Sequence, residues 1–340
     1  MPYYLGIDLH STNCVLGLID QKGKRMFHRK VPTDLPGVLD VVRPYKRRIK
    51  EIAVESTYNW YWLVDGLQEA GYTLRMGHPA AFEPYKGLKY ADDVHDAYWL
   101  AEMLRLKILP TAFIYPKEQR EVRDLLRKRT LLVHQRGAMM VNLQHTLVNH
   151  GQKKLRPHEM QAVRSNPVAD RLRGGPEALV LSGQVSKECI DFFTLRINRI
   201  ERQVEQWLRL ETPYQVLLTL PGVGRILAMT IMMETGPITR FPRVGNYVSY
   251  CRKVSSQWLS NAKRKARGNE KNGSPYLAWA FAEAAELARR YDSTVRAYYQ
   301  RKAARSHRMV AHFAVAHKLA RAAYFMLRDQ VPYDGHRLFG

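Results

Sequence analysis

The chain has 340 residues, enough for two or more domains with sizeable cores. A hydrophobic content of 46% excludes a disordered polymer, and no apolar run is long enough to span a membrane as a helix. Lys and Arg number 54 against 31 Asp and Glu, and the resulting formal charge of +23 points to a polyanionic partner.

The first stretch, Tyr3-Tyr4-Leu5-Gly6-Ile7-Asp8-Leu9-His10, is predicted to be a strand buried on both faces. Ser11-Thr12-Asn13 is a polar turn, and a second strand follows from Cys14 to Asp20. Asp8 breaks the apolar pattern, and an unpaired carboxylate in an apolar core costs several kcal/mol. Such an acid either caps the turn through the backbone or ligates a metal. A third strand is predicted over 25–31, a helix over 35–46 and a strand over 51–55 that also ends on an acid, Glu55. An aromatic-rich helix over 58–67 and a strand over 73–76 come next. A three-strand meander followed by α-β-α-β is the order of an RNase H/RuvC-like α/β layer.

Asp93 and Asp96 stand three apart at the start of a predicted helix running to Met103-Leu104 and share one face of it. Capping by Asp92 or Asp93 accounts for one acid there, but not for Asp96 a turn further in. From Lys117 to His150 the pattern is a long charged helix. A polar stretch with prolines at 157, 167 and 176 reads as a loop with short helices, and a second long helix is predicted over 187–210. The two helices resemble an antiparallel coiled-coil arm, either a self-packed spacer or a basic arm for dimerisation or nucleic-acid binding.

Leu220-Pro221-Gly222-Val223-Gly224 between apolar helices is a helix-hairpin-helix signature, whose glycines let backbone N–H groups approach a phosphate. A plain αα turn is the alternative. The segment Tyr250–Gly273 holds seven Lys/Arg and three Ser, and reads as a basic loop leading into a strong helix from Tyr276. A last helical region is predicted over 293–328. Cys14, Cys189 and Cys251 make neither a disulfide framework nor a CxxC zinc site, and no signal peptide opens the chain, so a reducing cytoplasm is expected. The 12 histidines show no HExxH spacing, and His312 and His317 are read as helix surface.

Taken in order, Gly6-Ile7-Asp8, Val54-Glu55-Ser56-Thr57 and Asp93-Val94-His95-Asp96-Ala97 resemble the RuvC-like domain of the insertion sequence 110 family of transposases. Leu220–Gly224, Ser260-Asn261-Ala262-Lys263, Lys271-Asn272-Gly273 and Tyr276-Leu277-Ala278-Trp279-Ala280 resemble that family's second domain. The resemblance implies a DEDD recombinase guided by a bridge RNA (seekRNA). It implies an α/β plus α architecture: an RNase H/RuvC-like domain over 1–115, a coiled-coil arm over 116–211 and a mainly helical transposase domain over 212–340. Asp8, Glu55, Asp93 and Asp96 would bind Mg²⁺, with Mn²⁺ as the alternative. Ser260 would be the nucleophile, with Ser255 and Ser256 as rivals. Ala262 stands where the family has Gly, and Ser274 where Asn is common, which bears on the geometry of the loop.

The implied partners are donor and target DNA, a structured guide RNA and further copies of the chain, a dimer assembling to a tetramer. No membrane partner is implied, and the setting is the bacterial or archaeal cytoplasm at the nucleoid. A serine alkoxide conserves the phosphodiester energy in a covalent phosphoserine. Four carboxylates suit one or two Mg²⁺ ions. Lys263, Arg264, Lys265, Arg267 and Lys271 are candidate phosphate contacts, as are the backbones of Gly222 and Gly224. Two other classes compete: a RuvC-like structure-specific endonuclease in which water attacks, and a non-catalytic nucleic-acid architectural protein.

Overall fold

In a computed structural model of the chain, the structure describes residues 1–79, 92–254, 272–335 and 338, and the backbone alone of 257–260 and 263–267. They form two compact units, Met1–Lys117 and Glu118–Gly340.

In the first unit, β1 (Tyr3–Leu9), β2 (Asn13–Asp20) and β3 (Arg25–Pro32) form an antiparallel meander. Helix α1 (Leu35–Val42) leads to β4 (Ile49–Glu55), and α2 (Tyr61–Glu69) to β5 (Leu74–Gly77). Helix α3 (Asp93–Arg105) and a two-residue strand, β6 (Thr111–Ala112), complete it. The sheet order is β3-β2-β1-β4-β5-β6, with β4 parallel to β1 and β5 parallel to β4. This mixed sheet is consistent with an RNase H-like DEDD domain. β1 lies inside the sheet and is buried along its whole length, which accounts for its unbroken apolar run.

Alternation along β1 divides the core. Leu5, Ile7 and Leu9 pack with Val38, Val42, Leu63 and Leu67. Tyr4 faces the other way, with Ala53 of β4 and Tyr98, Ala101 and Leu104 of α3. On that second face Gly6 of β1 lies opposite Gly17 of β2. A Cβ at Gly6 would sit 1.9 Å from the Ala97 carbonyl oxygen and 2.8 Å from the Ala101 nitrogen. One at Gly17 would sit 3.0 Å from the Tyr98 ring and backbone. The paired glycines form a notch that lets α3 lie directly on the sheet.

In the second unit, α4 (Lys117–Asn149) and α7 (Glu177–Leu208) run antiparallel. Arg129 meets Glu201 at 2.8 Å, Arg136 meets Thr194 at 3.2 Å, and Leu143 and Leu147 share a cluster with Ile190. The far end is closed by α5 (Pro157–Met160) and α6 (Pro167–Leu172), the short helices expected in that loop. Helix α7 starts ten residues before the predicted Lys187. Pro176 starts it, and Gly183 lets Leu172 of α6 pack close: a Cβ at Gly183 would sit 2.3 Å from the Leu172 side chain.

The remaining helices are α8 (Thr212–Leu218), α9 (Arg225–Thr235), α10 (Val244–Tyr250), α11 (Pro275–Tyr291), α12 (Ser293–Ala303) and α13 (Arg308–Asp329). Their core includes Leu217, Met229, Tyr247, Phe281 and Leu319. The single region predicted over 293–328 is two helices. His307 adopts an extended backbone and accepts a hydrogen bond from Met309 N–H, which starts α13 afresh. Within the basic segment, β7 (Gln257–Ser260) and β8 (Lys263–Arg267) pair antiparallel. No helix among the described residues is long and apolar enough to cross a membrane.

The Gly6→Ala variant should lose on the order of 3 kcal/mol, because the obstructing atoms are backbone and cannot rotate away. Gly137→Ala, in open space within α4, should instead gain up to ~1 kcal/mol. Urea unfolding of the two variants checks the contrast.

Candidate metal centre and nucleic-acid interface

The glycine notch decides where the acids meet. Even-numbered positions of β1 face α3, so Asp8 points to the same side as Gly6. Helix α3 lies on that side and brings its N-terminal turn to Asp8. Asp92 is the cap, accepting from His95 N–H at 2.6 Å, which leaves Asp93 and Asp96 for other work.

Asp8 is 4% exposed. His10 Nε2 lies 2.9 Å from Asp8 Oδ2 and 3.3 Å from Asp93 Oδ1. These contacts lack hydrogen-bond geometry, and the nitrogen is buried without a hydrogen-bond partner. Ligand atoms of Asp8, His10 and Asp93 all fall within 4.8 Å of one another. Two carboxylate oxygens and an imidazole nitrogen so placed fit a divalent cation. Lys30 Nζ approaches Asp93 Oδ2 at 3.9 Å from β3.

The turn after β1 needs no help from Asp8. His10 N–H donates to the Asn13 carbonyl at 2.9 Å. The His10 carbonyl accepts from Asn59 Nδ2 at 3.1 Å and from Thr33 Oγ1 at 3.3 Å. Thr57 Oγ1 and Asn59 Oδ1 are 2.9 Å apart, so the loop following β4 is tied to the turn following β1. Asp8 instead falls in a group of side chains that could hold a cation.

Glu55 ends β4 one position beyond the paired residues Ile7 and Val54, level with Asp8 and on the α3 side of the sheet. It and Asp96 lie outside the tight group of three. Asp96 is nevertheless close enough to act on Asp8. Burial pushes the Asp8 carboxyl up, His10 opposes that shift, and the charges of Asp96 and Asp93 add to it. The Asp96 carboxyl is also raised, chiefly by burial, with His95 opposing and Asp93 and Asp92 adding. Carboxylates raised in this way are those that a bound cation would bring back down.

His10 was not among the site residues expected from sequence. The signal is the Asp8-x-His10 spacing, which sets both side chains on one face of an extended segment. Cysteine chemistry has no support here: burial pushes the Cys14 thiol up to about 11 and raises that of Cys251 further.

β3 is the edge strand beside this site. Its pairing sets His28 opposite Gly17 and Lys30 opposite Val15, on the α3 side. Arg25 lies over the Tyr98 ring at 4.4 Å. Of these side chains, Lys30 reaches the acids.

In the second unit, α8 and α9 are joined by the predicted Gly-Val-Gly turn. Gly222 has φ of +76°, and a Cβ there would lie 2.1 Å from the Ala284 carbonyl oxygen of α11. Its absence of a side chain serves helix packing. Gly224 caps α9 with extended backbone and nothing within 4 Å of its Cβ position, so the first N–H groups of α9 have open approach.

Ser260 is the last residue of β7 and pairs with Lys263 across the hairpin turn. The side chains of Ser260, Lys263, Arg264, Lys265 and Arg267, and Ser255, Ser256, Ala262 and Lys271 as a whole, lie outside the described residues. The base of the hairpin is described. Ser274 N–H donates to the Tyr250 carbonyl at 2.8 Å, and Arg252 donates to the Gly273 carbonyl at 2.9 Å. Gly273 has φ of +92°, and a Cβ there would lie 2.3 Å from the Tyr250 oxygen.

Ser274, where Asn is the commoner residue, caps α11 by accepting from Leu277 N–H at 3.3 Å and donates to Glu234 Oε2 at 3.2 Å. Glu234 is buried and takes a two-pronged bond from Arg127 at 2.6 and 2.9 Å. Helices α4, α9 and α11 thus meet at the root of the serine-bearing hairpin.

Two outcomes follow from these contacts. In metal-free protein, Asp8→Asn should raise stability near neutral pH by on the order of 1 kcal/mol, read by thermal unfolding, while abolishing Mn²⁺ binding. The sign follows from the raised Asp8 carboxyl: its favourable contribution is complete below the unfolded value of 3.8 and is lost as pH rises through the folded one. Glu234→Ala strands the Arg127 guanidinium and should cost about 3 kcal/mol in denaturant unfolding.

Comparison with known proteins agrees with this geometry. The profile of the IS110-type DEDD transposases, described as "Transposase", matches residues 5–151. That of the "Transposase IS116/IS110/IS902 family" matches residues 214–300. A Pseudomonas aeruginosa protein described as "Probable family 20 transposase" is 24% identical over 241 residues, covering 69% of this chain and 71% of that protein. The first profile holds the acids on β1, β4 and α3, and the second holds the glycine turn and the serine hairpin. The chain belongs to the IS110 family of transposases.

Proposed function

We propose that this transposase is an RNA-guided DNA recombinase that cuts and rejoins DNA through a covalent phosphoserine, with Mg²⁺ held by a DEDD acid cluster. The convergence of Asp8, His10 and Asp93, with Asp96 and Glu55 beside them, carries the proposal. Asp8, Glu55, Asp93 and Asp96 hold the ion. The His10 nitrogen makes Mn²⁺ a good substitute. Bound there, the ion lowers the pKa of an oxygen nucleophile and offsets negative charge at phosphorus.

Ser260 Oγ attacks phosphorus and loses its proton. The Oγ–P bond forms, the scissile P–O bond breaks, and the departing strand oxygen takes up a proton as a hydroxyl. Attack by a hydroxyl of the exchanging strand reverses these changes and frees Ser260. Lys263, Arg264, Lys265, Arg267 and Lys271 bind non-bridging oxygens, and the N–H groups of α9 that follow Gly224 bind backbone phosphate. Lys30 conducts the strand toward the acids. The acids and Ser260 work as one composite centre, shared among copies of the chain in a dimer that assembles to a tetramer through the α4–α7 arm.

A structured guide RNA selects donor and target DNA by base pairing, so the protein reads backbone and shape. The +23 charge supports that division of labour. The setting is the cytoplasm, at the nucleoid.

Ser260→Ala and Asp8→Ala test the chemistry on a labelled DNA substrate in Mg²⁺. The wild type should give a protein–DNA adduct on a denaturing gel, and both variants should give neither adduct nor cleavage. Cleavage surviving in Ser260→Ala would assign the attack to water and make the protein a RuvC-like endonuclease. Sequencing of co-purified RNA should recover one defined structured species.

A further inference from the structure

The second unit carries a large groove that the transposition chemistry does not use. It is ≈ 960 Å³ in volume and lies along one face of α13, closed on its other sides by the Lys253–Val254 segment, Tyr298 of α12 and the stretch after α13. Its lining combines two chemistries. Phe313 and Phe325 each remain 37% exposed, and Val310 above them is 52% exposed. Between them on the same face stand Lys318 and Arg321, with Arg328 beyond.

Cations and rings are interleaved, not segregated into core and rim. Lys253 Nζ lies 5.7 Å from the Phe313 ring centre and Lys318 Nζ lies 4.9 Å from that of Tyr298. The Arg328 guanidinium is 4.9 Å from the Phe325 ring centre. The two acids in the lining are Asp329, already paired with Arg328 at 2.6 Å, and Asp334. Four cations against two acids leave the groove positive.

A protein helix docking on an apolar face calls for a continuous hydrophobic stripe with charges at its edges. A duplex keeps its bases stacked inside and offers a groove only phosphates. An unpaired strand offers alternating π-faces and phosphates, and sites for it combine aromatic platforms with a cationic track. Phe313 and Phe325 are twelve residues apart, about 18 Å along the helix, which is room for several nucleotides.

We infer that the α13 groove binds an unpaired segment of nucleic acid, with bases on Phe313 and Phe325 and phosphates on Lys318 and Arg321. The inference rests on the reading of this chain as a nucleic-acid-handling protein, but not on its metal or serine chemistry.

Fluorescence anisotropy of the full chain with labelled oligouridylate, and with a DNA duplex of equal length, tests it in metal-free buffer. Phe313→Ala and Phe325→Ala should each weaken oligouridylate binding roughly tenfold and leave duplex binding unchanged. Arg321→Gln should weaken it less and reduce the salt dependence by about one ion. Phe325→Leu, which keeps the apolar volume, should lose affinity as the alanine variant does, while circular dichroism shows each variant folded.

Wild-type affinity in the folded aromatic variants would overturn the groove assignment while leaving the transposase reading intact. Equal loss of duplex and single-strand binding would also overturn it, by making the groove a general phosphate surface. A wild-type chain that binds neither probe would overturn the nucleic-acid reading and the groove together. Full rescue by Phe325→Leu would overturn base stacking on Phe325, because apolar volume without an aromatic face would then suffice.

Discussion

The close seating of α3 on the sheet is the contact from which the candidate metal centre derives. A helix on a sheet is ordinarily held off by the side chains between them. At Gly6 and Gly17 no side chain intervenes, and the backbone of Ala97 and Ala101 occupies the space a methyl would take. The helix is thereby fixed in height and in rotation about its axis. Both determine whether Asp93 reaches the end of β1. Tyr98 locks the arrangement laterally, packed over Gly17 and under the Arg25 guanidinium.

That placement forces like charges together at a partly buried site. Asp8 at the end of β1, Asp93 and Asp96 on the first turns of α3, and Glu55 level with Asp8 on β4 have little reason to converge for stability alone. The raised carboxyls of Asp8 and Asp96 record that conflict. His10 and Lys30 relieve it in part. A divalent cation would relieve it more fully, by giving Asp8 and Asp93 a shared positive partner.

The second unit solves a different problem: a polar, cation-rich hairpin has no core of its own. Its two ends are joined to each other through Tyr250, Arg252, Gly273 and Ser274. They are joined to the bundle through Glu234 and Arg127. The Ser274 hydroxyl both caps α11 and reaches Glu234. Gly222, read as a phosphate-facing glycine, is committed to the close approach of α11, whereas Gly224 keeps the open position.

Much of this was legible in the residues. Strand order followed from alternation and turn residues, since neighbours along a chain obey local periodicity. Asp8 was conspicuous because a charge in an apolar run demands an explanation, and Asp92 versus Asp93 and Asp96 followed from helix-cap spacing. Motif order alone was enough to suggest the family. Four features required the tertiary structure. They are the approach of His10 to Asp8 and Asp93, the division of labour between Gly222 and Gly224, the Arg127–Glu234–Ser274 anchor, and the restart of the last helix at His307. Each depends on what a distant segment brings within a few ångströms. A sequence states which groups exist and which local conformations they favour, whereas contact between residues a hundred positions apart is decided only when the elements pack.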